Sequence, residues 1–247
     1  MSAIYILWLR QLKRYLRSKS RIVGSIGQPI LFLLALGFGF GPIFQKAGGG
    51  NYLEFLSPGI IAMSILFTAL FAGIEIIWDK QFGFLKEMLV APISRLNIMI
   101  GRTLGGATSS IIQGIIVFLI AILIGFRPNL LMVPLALVFM ILIGLFFTAL
   151  GTAIASMLDD MQGFQLIMNF LVMPLFFLSG ALFPLQGLPK GVLLAATLDP
   201  LSYGVDGLRA SLGGVSHFGL ALDLTVLSVL TLILLGVGGY LFSRIKS

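Results

Sequence analysis

Few side chains in this sequence are equipped for chemistry, and none is spaced for catalysis. Cysteine is absent, which excludes thiol catalysis, disulfides and cysteine-held metals. The single histidine, His217, has no acidic or thiol neighbours at ligand spacing and reads as an ordinary surface residue. Serines occur without a His–Asp pair to activate them. No G-x-x-x-x-G-K-[ST] loop is present, so the chain has no phosphate cradle for ATP. Ion-coupled carriers need an acid or base deep in a span. Glu75 is the clearest charge inside an apolar run, and it lies one turn from Trp78 and Asp79, near the run's end. An ion-coupled secondary transporter is therefore the weaker reading. The other polar residues in apolar runs are mild: Gln28, Ser64, Thr68, Gln113, Thr148, Thr152, Gln165 and Asn169. Each can serve as an interhelical hydrogen-bonder. Ser64, Thr68, Gln165 and Asn169 are the candidates for lining a pathway.

The elements that must position these residues are membrane helices. Of 247 residues, 58% are hydrophobic and 10% charged, against about 25% charged in a soluble domain. Lipid is the expected solvent for most of the chain. A crossing helix needs about 20 apolar residues. Six stretches qualify, with expected spans at 22–44, 55–78, 97–126, 130–158, 161–182 and 219–243. The first is too long for a cleavable signal segment and follows a basic, amphipathic stretch, so it reads as a retained span. Placing both termini inside puts Arg10, Lys13, Arg14, Arg17, Lys19, Arg21, Lys80, Lys86, Arg95, Arg102, Arg244 and Lys246 on the cytoplasmic side. Lys46, Arg127, Lys190 and Arg209 fall outside. This satisfies the positive-inside rule. It also gives the net charge of +7 a membrane rather than a nucleic-acid meaning. The expected location is the inner, cytoplasmic membrane.

Three segments fit neither a span nor a plain loop. Over residues 1–21, Arg10, Lys13, Arg14 and Arg17 gather on one side of a helix. Tyr5, Trp8, Leu9, Leu12, Tyr15 and Leu16 gather on the other. That is an interfacial helix lying flat at the inner leaflet with its aromatics at headgroup depth, either a basic anchor that only sets topology or an elbow that also touches a cytoplasmic partner. In the loop over 79–96, Phe84, Leu85, Met88 and Leu89 recur at helical spacing while Lys86 and Glu87 face elsewhere. Gly83 permits a tight turn into that helix, Pro92 stops it and Ser94 is placed to cap the next span. The segment is either buried in headgroups or a knob that docks into a soluble subunit. Over 183–212, Pro184, Pro189 and Pro200 break any straight span, with room for one or two helical turns at 192–197. This is either an irregular outer loop or a re-entrant hairpin over the outer mouth of a pathway. Asp206 and Arg209, three apart, are spaced to pair if helical.

Two of these segments carry a family pattern. Residues 82–95, FGFLKEMLVAPISR, followed by Gly101-Arg102, resemble the inner loop of permease subunits of type-2 ABC exporters, especially the daunorubicin and multidrug-resistance branch. FPLQGLP at 183–189 and DPLSYGVDGLR at 199–209 resemble a second pattern of that family. The resemblance covers essentially the whole chain. It implies an all-α polytopic membrane protein with six transmembrane helices, an N-terminal amphipathic elbow helix, a cytoplasmic coupling helix and an outer re-entrant hairpin. It further implies a second copy, or a related permease, around a central pathway. Two separate ATPase subunits would carry the ATP and magnesium. Coupling would fall to Gly83, Phe84, Leu85, Glu87, Met88, Leu89, Pro92, Ser94 and Arg95. The elbow would use Trp8, Arg10, Arg14 and Arg17. The outer gate would use Pro184, Pro189, Pro200, Tyr203, Asp206 and Arg209. The substrate implied is hydrophobic or amphipathic, with a polysaccharide or lipid-linked glycan as the alternative.

Overall fold

The computed structural model describes residues 2–84 and 93–243, and the regular elements among them are all helical. Helix α1 (Ala3–Arg17) begins at Ser2, whose hydroxyl accepts from the Tyr5 amide at 3.4 Å. The chain breaks at Ser18 and enters α2 (Lys19–Lys46), which contains Pro29 and Pro42. Helix α3 (Tyr52–Phe71) starts at an Asn51 cap. A short break at Ala72 and Gly73 leads into α4 (Ile74–Gln81). Helix α5 spans Arg95–Ile124 and α6 spans Val133–Met157, the latter after a 3-10 turn at Leu130–Met132. Asp160 caps α7 (Met161–Leu178) by accepting from the amides of Gln162 and Gly163 at 2.7 and 2.8 Å. Then follow α8 (Lys190–Leu198), α9 (Pro200–Gly213) and α10 (Leu220–Ser243).

Among the described residues, six helical stretches are long and apolar enough to cross a membrane: α2, α3 with α4, α5, the 3-10 turn with α6, α7, and α10. The chain is thus an all-α, multi-pass membrane protein. Helix α3 is the centre, packed by α2, α5, α6 and α9. Leu56, Ile60, Ile61 and Leu66 are fully buried along it. Helices α2, α7 and α10 leave most of their surface uncovered. Lipid tails are as apolar as leucine, so helices associate here through close packing rather than hydrophobic expulsion. The contact of α1 on α5 illustrates this. A Cβ at Gly101 would lie 2.8 Å from the Leu7 Cβ, and one at Gly105 would lie 2.5 Å from the Gln11 Cβ. Two glycines four apart give α1 a groove to lie in.

The segment over 183–212 differs from its sequence expectation. The proline-punctuated stretch contains two helices, not one or two isolated turns. Pro200 takes the first position of α9, where its missing N–H costs nothing, and Asp199 caps it by accepting from Leu201 N at 2.8 Å. At 14 residues, α9 reaches roughly 21 Å, too short to cross a bilayer. Apart from the half-buried Tyr203, it is nonetheless buried from Leu201 to Leu212 between α3, α6 and α10.

Candidate functional site

The most heavily tied element lies at the end of the bundle that carries α1. Asp79 on α4 is buried and takes two arginines. Arg10 of α1 donates to Oδ1 at 3.4 Å, and Arg102 of α5 pairs with Oδ2. One turn earlier, Glu75 pairs with Arg14 at 3.7 Å, and that guanidinium lies 5.3 Å from the centre of the Trp78 ring. Lys80 points the other way. Its Nζ donates to the carbonyls of Ser156 and Leu158 at 2.9 and 2.8 Å, and to Asp159 Oδ1 at 3.1 Å. It thereby satisfies carbonyls that the end of α6 leaves unpaired and complements the negative end of that helix. Gln81 donates to the Asp159 carbonyl at 3.3 Å. So α4 is bonded to α1, α5 and the α6–α7 turn at once.

The chain leaves this hub at Gly83, whose φ of +79° is a left-handed conformation that side chains disfavour. Phe82 and Phe84 are exposed on either side of it. Ser94 caps α5 as expected, accepting from Asn97 N at 3.2 Å, and Arg95 opens that helix. Of the expected coupling residues, Leu85, Glu87, Met88, Leu89 and Pro92 lie outside the described residues.

Helix α1 packs along α5 on one side. Its aromatic side was expected at headgroup depth, but Trp8 donates its indole N–H to Thr108 Oγ1 at 3.0 Å, and Tyr15 is buried. The Tyr15 hydroxyl donates to Gln113 Oε1 at 2.8 Å, and Ser25 of α2 donates to the same oxygen at 3.1 Å. Close approach at Gly101 and Gly105 makes this face a protein contact and leaves Tyr5, Ile6 and Leu16 as the exposed apolar side chains. Arg10 and Arg14 reach α4 as described. Arg17 is exposed at the end of α1.

At the far end, Asp206 and Arg209 do not pair with each other, contrary to their spacing. The Asp206 carboxylate accepts from Ser216 Oγ at 2.9 Å and from the amides of His217 and Phe218, each at 2.8 Å at the nearest. Arg209 donates to the Gly180 carbonyl at 2.9 Å and the Phe55 carbonyl at 3.4 Å, with its guanidinium 3.9 Å from the Phe55 ring centre. Buried backbone groups must be satisfied, and these two side chains do that for a loop and for the turn after α7. Direct pairing would strip both. Burial lowers the Arg209 pKa to about 10, opposed by the nearby Asp206 charge, so the side chain stays protonated at neutral pH. Tyr203 donates to the Thr197 carbonyl at 2.7 Å and packs against Phe218. Pro189 precedes α8, Pro200 opens α9, and Pro184 lines a cavity of about 210 Å³ with Asp206, Arg209 and His217. Tyr52 closes the cluster by donating to the Leu182 carbonyl at 2.8 Å. These contacts lock the far ends of α3, α7 and α9 together.

The pathway candidates fall in two places. Ser64 and Thr68 line a second cavity of about 210 Å³ between α2 and α3, with Ser25, Gln28 and Phe67. Gln165 and Asn169 are exposed, one turn apart, on the uncovered side of α7 beside Leu166 and Phe170. Sequence reasoning missed the buried Asp79–Arg102 pair and the fully buried Asp223, which lies near Asp206 at the start of α10. All three sit at the edges of charge-free runs. The signal available was that α4 and α5 are sequence neighbours whose facing ends carry opposite charges.

Residues 2–212 match the model of the ABC-2 type transporter family. A "Putative transport permease ycf38" of Cyanophora paradoxa is 29% identical over 216 residues, 83% of this chain and 72% of that protein. Its namesake in Porphyra purpurea is 31% identical over 202 residues, 78% of this chain and 68% of that protein. "Nodulation protein J" of Rhizobium leguminosarum bv. viciae is 27% identical over 210 residues, covering 84% of this chain and 81% of the relative. With the family model matched along most of its length and six apolar helices to fill it, the chain belongs to the ABC-2 type transporter family as a transport permease.

Proposed function

We propose that this chain is the membrane-spanning subunit of an ATP-driven exporter in the inner membrane, with both termini in the cytoplasm and the ATPase on separate subunits. Two ATPase subunits, with their ATP and magnesium, would sit beneath two copies of this chain or this chain and a related permease. The observation that carries the reading is the α4 hub. Helix α4 is tied to α1, α5 and the α6–α7 turn, and its end leads directly to the exposed Phe82 and Phe84. A soluble subunit that moves the following segment would pull on most of the bundle through one element. The far-end lock of Arg209 and Asp206 is then the part that must yield for release outward.

The uncovered side of α7 favours an amphipathic cargo. Gln165 and Asn169 stand there among Leu166, Phe170, Met173 and Phe177. Exposed amides inside a span face protein or a cavity rather than lipid, so this side borders the second copy and the pathway. A drug-like or lipid-like molecule, as for the multidrug-resistance branch, matches the mixed surface. The exposed phenylalanines of the same side also support a second reading, a lipid-linked glycan whose sugar faces stack on aromatic rings. The test is co-expression with the cognate ATPase and reconstitution of the purified complex in vesicles. ATP-dependent accumulation of an amphipathic dye on the far side of the membrane is expected, and none without the ATPase. Robust ATP hydrolysis by this chain alone would refute the reading.

A further inference from the structure

Beside the α4 hub runs a groove of about 810 Å³ between α1 and the end of α4. One wall is a single face of α1: Ile6 and Leu9 at its beginning, then Arg10, Lys13, Arg14 and Arg17. The other wall is Trp78, Asp79, Phe82 and Phe84. The groove is therefore apolar at one end and cationic along the rest. Its lining acid, Asp79, is already engaged by Arg10 and Arg102, and Glu75 one turn away pairs with Arg14. Lys13 and Arg17 have no acidic partner among the described residues, and both are exposed.

We propose that this groove is a binding site for the phosphate headgroup of an anionic membrane lipid, with Lys13 and Arg17 as its phosphate ligands and Trp78 in its wall. The proposal rests on the cytoplasmic orientation given above, which places α1 and the start of α2 at the inner leaflet. Charge complementarity selects an anion. The apolar flank selects one that brings an acyl chain: Tyr5, Ile6 and Leu16 of α1 and Phe82 beyond α4 are all exposed. Each Lys or Arg near an anionic bilayer surface strengthens attraction about fivefold, and the two unengaged cations stand on one side of one helix. A headgroup held there bridges α1 to the end of α4. Lipid composition would then tune how firmly the hub is held.

The two tryptophans of the chain, Trp8 and Trp78, make the site readable. The full chain is reconstituted in phosphatidylcholine vesicles containing equal mole fractions of either phosphatidylglycerol or phosphatidylcholine, brominated near the headgroup end of the acyl chains. The brominated anionic lipid should quench fluorescence more strongly. The excess should vanish in Trp78→Phe and persist in Trp8→Phe. In the Lys13→Ala/Arg17→Ala variant the preference should fall at least about fivefold, while Lys19→Ala, outside the groove, keeps it. Millimolar inorganic phosphate should not compete, which separates a lipid site from a free-anion site. Equal quenching by both lipids in the parent chain overturns the proposal. So does an equal loss in Lys19→Ala, which would mean general surface attraction, or full competition by inorganic phosphate. Binding is read without transport, so it fails or stands independently of the exporter reading, and labelling of cysteines placed at Lys13 and Lys19 tests the orientation separately.

Discussion

Replacing Arg102 by Met tests whether the α4 hub is held by charge. Arg102 and Asp79 are both buried, with side chains 3% and 6% exposed. Removing one partner of a buried ion pair costs about 3–5 kcal/mol, because the other charge is left without compensation. Here Asp79 keeps Arg10 at 3.4 Å, but that arginine is 44% exposed and screened by solvent. The expected loss for Arg102→Met is thus near the lower end, about 3 kcal/mol. Arg10→Ala should cost no more than about 1 kcal/mol. Asp79→Asn combined with Arg102→Met removes both charges and should recover most of the loss, since a neutral replacement of a buried pair is often tolerated. The assay is unfolding by SDS in mixed micelles, followed by circular dichroism, as a double-mutant cycle. If Arg102→Met costs no more than Arg10→Ala, or if the double variant loses the sum of the single losses, the hub is not held by this pair.

Three further outcomes are expected. Arg209→Ala should leave insertion and assembly intact and reduce transport by an order of magnitude or more, because the carbonyls of Gly180 and Phe55 lose their donor; unchanged transport at matched expression would reduce the far-end lock to a plain loop. Burial raises the Asp199 carboxyl pKa from 3.8 to about 8, against the opposing hydrogen bond from the Leu201 amide. The folded state therefore prefers its protonated form, and that stabilisation, full below pH 4, fades as pH rises towards 8. Asn caps helices as well as Asp, so Asp199→Asn should flatten the fall in melting temperature between pH 5 and 8, and an unchanged slope would contradict this. Single cysteines in this cysteine-free chain should be labelled by an impermeant reagent from outside at Gly49 and Lys190 but not at Lys86; labelling at Lys86 in intact cells would reverse the orientation.

Much of the fold was legible in the sequence because lipid permits few alternatives. Runs of apolar residues broken by charge mark the spans, and Ser94 announced the start of α5 by its type and place. The family pattern at 82–95 and 199–209 was legible too. What composition could not show is which side chains meet across helices. Asp206 and Arg209 are well spaced to pair, yet each is drawn to backbone groups brought near by α7 and the loop before α10. Trp8 and Tyr15 look like headgroup anchors until Gly101 and Gly105 let α1 sink onto α5. Asp79 and Arg102 read as charges terminating separate runs, and only the packing of α4 against α5 makes them one buried pair.

The central claim is that force from an ATPase enters through the segment following α4. Leu85→Asp and Met88→Asp place a charge in that segment without touching a span. With the ATPase subunit co-expressed and permease levels matched, the deciding measurement is the amount of ATPase that copurifies with each variant, together with its ATP-dependent transport. Buried apolar anchors carry most of the energy of an interface, so both variants should insert normally yet lose ATPase binding or transport by at least about tenfold, equivalent to 1.4 kcal/mol. Copurification and transport at the parent level in both variants would show that force enters elsewhere.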